Sequence, residues 1–215
     1  MRISKEGTVT IVIVNLFVSV CIVLMIIANK PALYWLLIPL LAIEFLVIYF
    51  FRDPERKIPN GENEIVSPAD GKVVLIKEVN ENLFLNSEAV QISIFLSVFN
   101  VHVNRIPISG AVKYFQYMKG AFLAAFDHEA SVKNEQTIIG IDYPKGKVLF
   151  KQIAGLLARR IVFTNSVNDA VVKGARCGII KFGSRVDVIV QKNVEIKVKV
   201  GDKVAGGESI LGVIR

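Results

Sequence analysis

Hydrophobic and polar positions follow two different rhythms along this chain, and the change of rhythm divides it near residue 51. Thr8 to Asn29 carries no charged side chain, and a helix of that length reaches roughly 33 Å at 1.5 Å per residue, enough for the hydrocarbon core of a bilayer. Lys30 and Pro31 break the run, and Ala32 to Phe51 is apolar again apart from Glu44 and a Pro39 interruption. A transmembrane helical hairpin over residues 1–51 is predicted. A carboxylate costs on the order of 3 kcal/mol at a helix centre, but Glu44 lies past the midpoint of its segment, where it can face the partner helix; a second segment lying in the interface is the competing reading. A cleaved leader fits poorly, because its apolar core runs about 7–15 residues and ends at a small-residue site, whereas Asn29-Lys30-Pro31 follows here. Arg2 and Lys5 precede the pair, Arg52, Arg56 and Lys57 follow it, and Lys30 alone lies between. The positive-inside rule then places both ends, and everything after Phe51, in the cytoplasm at the cell membrane.

Residues 52–215 read as one compact domain. Short β-branched runs are separated by Gly, Pro, Asn and Asp, predicting strands at Gly71–Val79, Val90–Leu96, Val148–Ile153, Ile161–Phe163, Gly178–Phe182, Arg185–Val190, Val194–Val198 and Ser209–Ile214. Ala121–Ala130 has helical composition, and Asp142–Gly146 marks a turn. The fold class is mostly β (α+β), a β-sandwich or barrel. Ser67–Val73 and Val198–Glu208 echo one another in the strand, Gly/Asp turn, strand texture of biotinyl and lipoyl barrels. No lysine stands in a carrier context, so the echo bears on fold and not on chemistry.

Composition sharpens this division. With 53% hydrophobic residues in 215 and a mean hydropathy of +0.50, the chain is too apolar for a disordered or ordinary soluble protein. Two cysteines, Cys21 and Cys177, cannot frame a disulfide scaffold, and 2 histidines exclude a site built on a histidine cluster, so no metal is expected. The net charge of +7 suits anionic lipid as well as nucleic acid. Only three cations and two carboxylates fall within residues 1–51, so nearly all of the excess belongs to the following domain.

Four stretches could carry chemistry, each with a plainer explanation. Asp70, in Ser67-Pro68-Ala69-Asp70-Gly71, is by default a turn residue. His102 lies where an apolar strand turns polar, the usual place of a hydrogen-bonded core histidine. His128, between Asp127 and Glu129, resembles a solvated surface residue. Gly183-Ser184 interrupts what otherwise looks like one strand or hairpin, with a type II′ turn or bulge as the simplest account. The Gly-x-Ser-x-Gly pattern of a nucleophile elbow is absent.

Taken together and in order, Ser67-Pro68-Ala69-Asp70-Gly71, then Phe95-Leu96-Ser97 through Asn100-Val101-His102-Val103-Asn104-Arg105, then Gln152–Ile161, then Phe182-Gly183-Ser184-Arg185 resemble the short, pyruvoyl-dependent phosphatidylserine decarboxylase proenzymes. The resemblance runs from about Phe51 to the C-terminus. It implies self-cleavage at Gly183-Ser184: the Ser184 hydroxyl attacks the Gly183 carbonyl, and elimination and hydrolysis leave a pyruvoyl group, the covalent cofactor, with loss of ammonia. A β chain (1–183) and an α chain (184–215) from the same proenzyme stay associated. A glycine before the scissile bond leaves its carbonyl open and tolerates a strained turn. A serine hydroxyl is weak at neutral pH and needs a base; an imidazole, with an ordinary pKa near 6.5, is suited to this, giving that role to His102 and an orienting role to Asp70.

The resemblance further implies that the cofactor forms a Schiff base with phosphatidylserine in the membrane, carbon dioxide leaves, and phosphatidylethanolamine is released. The basic excess then serves the lipid surface rather than nucleic acid, and a homo-oligomer is left open. Two departures bear on residue roles. Longer members have a second histidine where this chain has Arg105, so either His102 serves both reactions, or Arg105 binds substrate carboxylate or phosphate and another group supplies the proton. The family's Asn-Glu-Arg reads Asn134-Glu135-Gln136 here. The alternatives are an archaetidylserine-type decarboxylase acting on an ether lipid, a membrane-anchored barrel module without chemistry, and a Ser/His/Asp hydrolase.

Overall fold

The computed structural model describes residues 2–121, 133–155, 160–181 and 184–215. The helical stretch expected at 121–130 and His128 lie outside these but for Ala121, as do Phe182 and Gly183. Two compact units are present, one ending at Glu55 and one starting at Arg56.

In the first unit, α1 (Thr8–Ala28) and α2 (Leu37–Phe50) are joined by a 3-10 turn over Pro31–Leu36. Asn29 ends α1 in the left-handed conformation that Asn tolerates, its N–H donating to the Met25 and Ile26 carbonyls. With their 3-10 extensions, both helices are long and apolar enough to cross a bilayer. Their surfaces expose Ile27, Trp35, Ile38 and Phe45, a pattern that suits lipid and not water. The N-terminal residues fold back on the end of α2: the Ser4 N–H donates to the Phe51 carbonyl at 2.9 Å and the Asp53 N–H to that of Arg2 at 2.8 Å. Gly7 permits this close approach, since a Cβ there would overlap the Phe51 ring.

The second unit is mostly β. Its strands are β1 (Glu64–Val66), β2 (Gly71–Glu81), β3 (Ser87–Leu96), β4 (Val103–Arg105), β5 (Gly110–Met118), β6 (Gln136–Tyr143) and β7 (Gly146–Ala154). They continue as β8 (Ile161–Phe163), β9 (Ala170–Val171), β10 (Arg176–Ile180), β11 (Ser184–Gln191), β12 (Val194–Ile196), β13 (Lys203–Val204) and β14 (Ile210–Ile214). A curled sheet in the order β13-β2-β3-β11-β7-β6-β5-β9 dominates, with smaller sheets β1-β14-β12 and β4-β10-β8. Strand alternation sends Ile92, Ile94, Leu96, Val148, Phe150, Val186 and Val188 into the main core, each fully buried and worth about 1.5–3 kcal/mol. Leu149, Ile189, Ala89 and Phe84 form a second cluster on the opposite face.

The two echoing segments pack against each other. Lys203 pairs with Lys72 and Val204 with Gly71, while the Val73 N–H donates to the Asp202 carbonyl and the Gly201 N–H to that of Val73. One expectation fails at the Gly-Ser pair. β10 and β11 are not a hairpin: β10 pairs with β4 and β8, whereas β11 lies between β3 and β7 in the large sheet. The chain changes sheets there because Val186, Val188 and Val190 bury against the main core, a tertiary demand that no local turn signal reports.

Candidate active site

Ser184 opens β11, paired with Leu96 on one side and Ala154 on the other. It shares parity with Val186 and Val188, so its side chain faces the main core. It is completely buried, and its Oγ has no hydrogen-bond partner among the described residues, an uncommon state for a buried hydroxyl. Small Ala154 is fixed beside it by the Asn134 Nδ2 donating to the Ala154 carbonyl at 2.7 Å.

His102 follows the same end of β3, six residues beyond Leu96, the partner of Ser184. The Ser97 N–H and Oγ both donate to Asn100 Oδ1, at 2.9 and 2.8 Å, and the Asn100 N–H returns to the Ser97 carbonyl. This tight turn sets the Asn100 carbonyl 3.0 Å from His102 Nδ1. A carbonyl only accepts, so Nδ1 carries the proton in the neutral ring and Nε2 is its basic nitrogen. The imidazole is fully buried, and its backbone carbonyl accepts the Ile180 N–H at 3.4 Å. His102 is thereby tied to the strand that runs, three residues later, into the Gly183-Ser184 bond.

Asp70 serves a different neighbourhood. Its carboxylate takes the Arg56 guanidinium Nη2 at 2.9 and 2.7 Å and the Gly206 N–H at 2.7 Å. Arg56 also reaches Glu208 at 3.1 Å, and the Lys57 N–H donates to Glu208 at 2.9 Å. The Lys57 N–H, with Arg56 behind it, holds the Glu208 carboxyl below the usual carboxylate range. Arg105 is buried, with Nη1 donating to the Gly174 carbonyl at 2.9 Å; its N–H donates to the Pro68 carbonyl at 2.8 Å. The turn bearing Asp70 is thus bonded to the strand that begins one residue after His102.

Residues without a sequence-derived role also converge. Thr137 Oγ1 donates to Gln152 Oε1 at 2.8 Å, and Gln152 Nε2 donates to Asn104 Oδ1 at 2.8 Å, all three buried. The signal that could have revealed Thr137 and Gln152 is a polar side chain on the buried face of an apolar strand. On the opposite face, Arg185 is buried against Asp187 at 2.6 Å and Ser93 at 2.7 Å, with Gln91 donating to Asp187 at 3.0 Å. Desolvation lowers the nearby Lys151 ammonium pKa, and burial pushes the Cys177 thiol up, so Cys177 is no nucleophile.

Comparison with known proteins gives the family. The family model for phosphatidylserine decarboxylase matches residues 43–212. A phosphatidylserine decarboxylase proenzyme of Chlorobaculum tepidum is 42% identical over 212 residues, covering 99% of this chain and 98% of the relative. Proteins of the same name from Amoebophilus asiaticus and Wolbachia pipientis wMel are 44% identical over 219 residues (100% and 97% covered) and 50% identical over 171 residues (77% and 74%). On a match that spans nearly the whole chain, this protein belongs to the phosphatidylserine decarboxylase family.

Proposed function

We propose that this chain is a self-processing proenzyme whose mature form decarboxylates phosphatidylserine to phosphatidylethanolamine at the membrane. The observation that carries the reading is the buried Ser184 Oγ, unpartnered among the described residues, at the head of the central strand. His102 Nε2 takes the Oγ proton as Oγ bonds to the carbonyl carbon of Gly183; the Gly183–Ser184 C–N bond breaks and the Ser184 nitrogen takes up the proton. Loss of the Ser184 Cα proton then breaks the Cβ–O ester bond, and water releases ammonia, leaving a pyruvoyl terminus on residues 184–215. A three-carbon group fits here, since it reuses the Ser184 skeleton between Leu96 and Ala154.

The pyruvoyl carbonyl supplies the electron sink for departure of the substrate carboxylate as carbon dioxide. His102, buried and held through Nδ1, is the residue that delivers through Nε2 the proton that replaces that carboxylate. Asp70 acts as a positioning residue: with Arg56 and Gly206 it locks its own turn, whose Pro68 carbonyl accepts the Arg105 N–H of β4. Arg105 is the candidate for an anionic group of the substrate, its charge already felt by Glu208. The packing of the two echoing turns supports a biotinyl-barrel-like core. Domain limits of 1–51 and 52–215, and a cytoplasmic catalytic unit, follow from the charge pattern around the hairpin.

Intact mass spectrometry of the purified protein tests the reading. Wild type runs as residues 1–183 and 184–215 with the mass loss of a pyruvoyl terminus, and Ser184→Ala stays at full length; a cleaved Ser184→Ala would falsify it.

A further inference from the structure

Five strands of the large sheet share one end, and Ser184 lies in it. Leu96 of β3, Ser184 of β11 and Ala154 of β7 stand in one row. The Ala154 N–H donates to the Glu135 carbonyl just ahead of β6, and Met118, the last residue of β5, pairs with Gln136. This end exposes aromatic rings: Phe99, in the turn after β3, by 62%, and Phe115 and Tyr117 of β5 by 41% and 46%. Among the described residues β9 covers β5 only at Gly110 and Ala111, so the half of β5 that carries Phe115 and Tyr117 is a sheet edge. Exposed aromatic rings on an open edge are a liability in water and mark a surface that meets a partner.

The charge at this end has one sign. In residues 97–102, 119–121, 133–135, 155, 160 and 181, which enter or leave the strands here, the cations Lys119, Lys133, Arg160 and Lys181 stand against the single carboxylate of Glu135. Lys119, Lys133 and Arg160 are exposed. The opposite end of the sheet, about 30 Å away along β3, has the other sign: Glu78 and Glu88 share the Lys192 ammonium at 3.0 and 2.8 Å. Its turn between β2 and β3 exposes Leu83 by 48%.

We infer that the Ser184 end of the second unit docks on an anionic bilayer surface, with Phe99 and Tyr117 seated between head groups and acyl chains and Lys119, Lys133 and Arg160 against lipid phosphates. This rests on the phospholipid substrate and goes beyond it by naming the face that meets the leaflet. Aromatic rings favour the membrane interface, a tyrosine with its hydroxyl in the wet layer, and exposed cations are drawn to anionic lipid. A substrate that keeps its chains in the leaflet then meets the end of the sheet that holds Ser184. Charge disfavours a second copy along the same edge, because a symmetric antiparallel pair centred on Gln116 sets Lys113 of each copy opposite Lys119 of the other.

The test uses the full chain in nanodiscs of phosphatidylcholine, with or without phosphatidylglycerol. The chain has one tryptophan, in the hairpin, so Trp35→Phe gives a dark background for single reporters: Phe99→Trp, Tyr117→Trp and, at the far end, Leu83→Trp. A ring held about 5–10 Å into the boundary of head groups and chains is expected to lose at least about half its fluorescence to lipid brominated in the upper acyl chain. That loss is expected for Phe99→Trp and Tyr117→Trp in discs with phosphatidylglycerol, and not for Leu83→Trp. Adding Lys119→Glu and Arg160→Glu, or raising the salt, is expected to weaken it. Absence of quenching at either Phe99→Trp or Tyr117→Trp, or equal quenching at Leu83→Trp, overturns the proposal. Tyr117→Trp shielded from both brominated lipid and iodide, in discs holding two chains, gives the edge to a second copy and overturns it as well. Intact mass of the same samples reads self-cleavage separately, so a wild-type chain that stays whole overturns the proenzyme reading and leaves the docking result standing.

Discussion

Asp70 separates two ways in which a carboxylate can support a histidine. Its three short contacts go to Arg56 and Gly206, while the imidazole Nδ1 meets the Asn100 carbonyl, so the positioning role proposed for Asp70 acts through the Pro68 to Arg105 backbone bond. Arg56→Ala is therefore expected to slow self-cleavage as much as Asp70→Ala does, with the double variant no worse than either, and each to lose about 1–3 kcal/mol of stability from a stranded charge. A normal processing rate in Arg56→Ala would instead mark Asp70 as acting on the ring directly. The same clamp sets an acid limit. Glu208 has its pKa lowered in the folded state by the Lys57 N–H and Arg56, so its contribution is complete above the unfolded value near 4.5 and is lost as pH falls through the folded one. Thermal melts should therefore show a smaller loss between pH 5 and about pH 3 in Glu208→Gln than in wild type.

At the scale of elements, the site depends on a change of sheet. β10 ends beside His102 and β11 begins at Ser184, so anything that displaces β10 moves the proposed base and nucleophile apart. Gly178 sits in β10 with φ of +153°, and a Cβ there would overlap the Val162 carbonyl oxygen of β8. Gly178→Ala is expected to cost at least about 2 kcal/mol and to leave the chain mostly unprocessed, read as a lowered Tm together with persistence of full-length protein. Much of this architecture was legible from patterning: β2, β3, β7, β11 and β14 are apolar runs whose neighbours are turn residues. β5 was not, because it exposes Phe115 and Tyr117 and so lacks a polar outer face, and Gly140 obscures β6. β4, β9 and β13 are too short to carry a period. Ser184 and His102 are singled out by the order of motifs, whereas the bond between Asn104 and Gln152 forms only when a partner 48 residues away in sequence is brought alongside.

For the whole molecule, the decisive question is on which side of the membrane the chemistry takes place. The first unit brings its own two ends together, with Ser4 bonded to Phe51 and Asp53 to Arg2, so the N-terminus and the chain entering the second unit leave the hairpin at one end. The cations Arg2, Lys5 and Arg52 gather at that end, and Lys30 stands alone at the other. Transfer of a charged cluster across the bilayer is far more costly than transfer of one lysine, and the expectation drawn from this is a hairpin with its turn outside and the second unit on the cytoplasmic side. Cysteine labelling reads this directly, since Cys177 is buried and Cys21 lies within α1, giving wild type a low background. In intact cells, a membrane-impermeant maleimide is expected to label Lys30→Cys at once, and Lys199→Cys, on the exposed surface of the second unit, only after permeabilisation. The reverse pattern would put the decarboxylase on the outer face. Labelling of both positions only after permeabilisation would mean that the second apolar segment lies in the inner interface, so that the substrate is met there without a spanning hairpin.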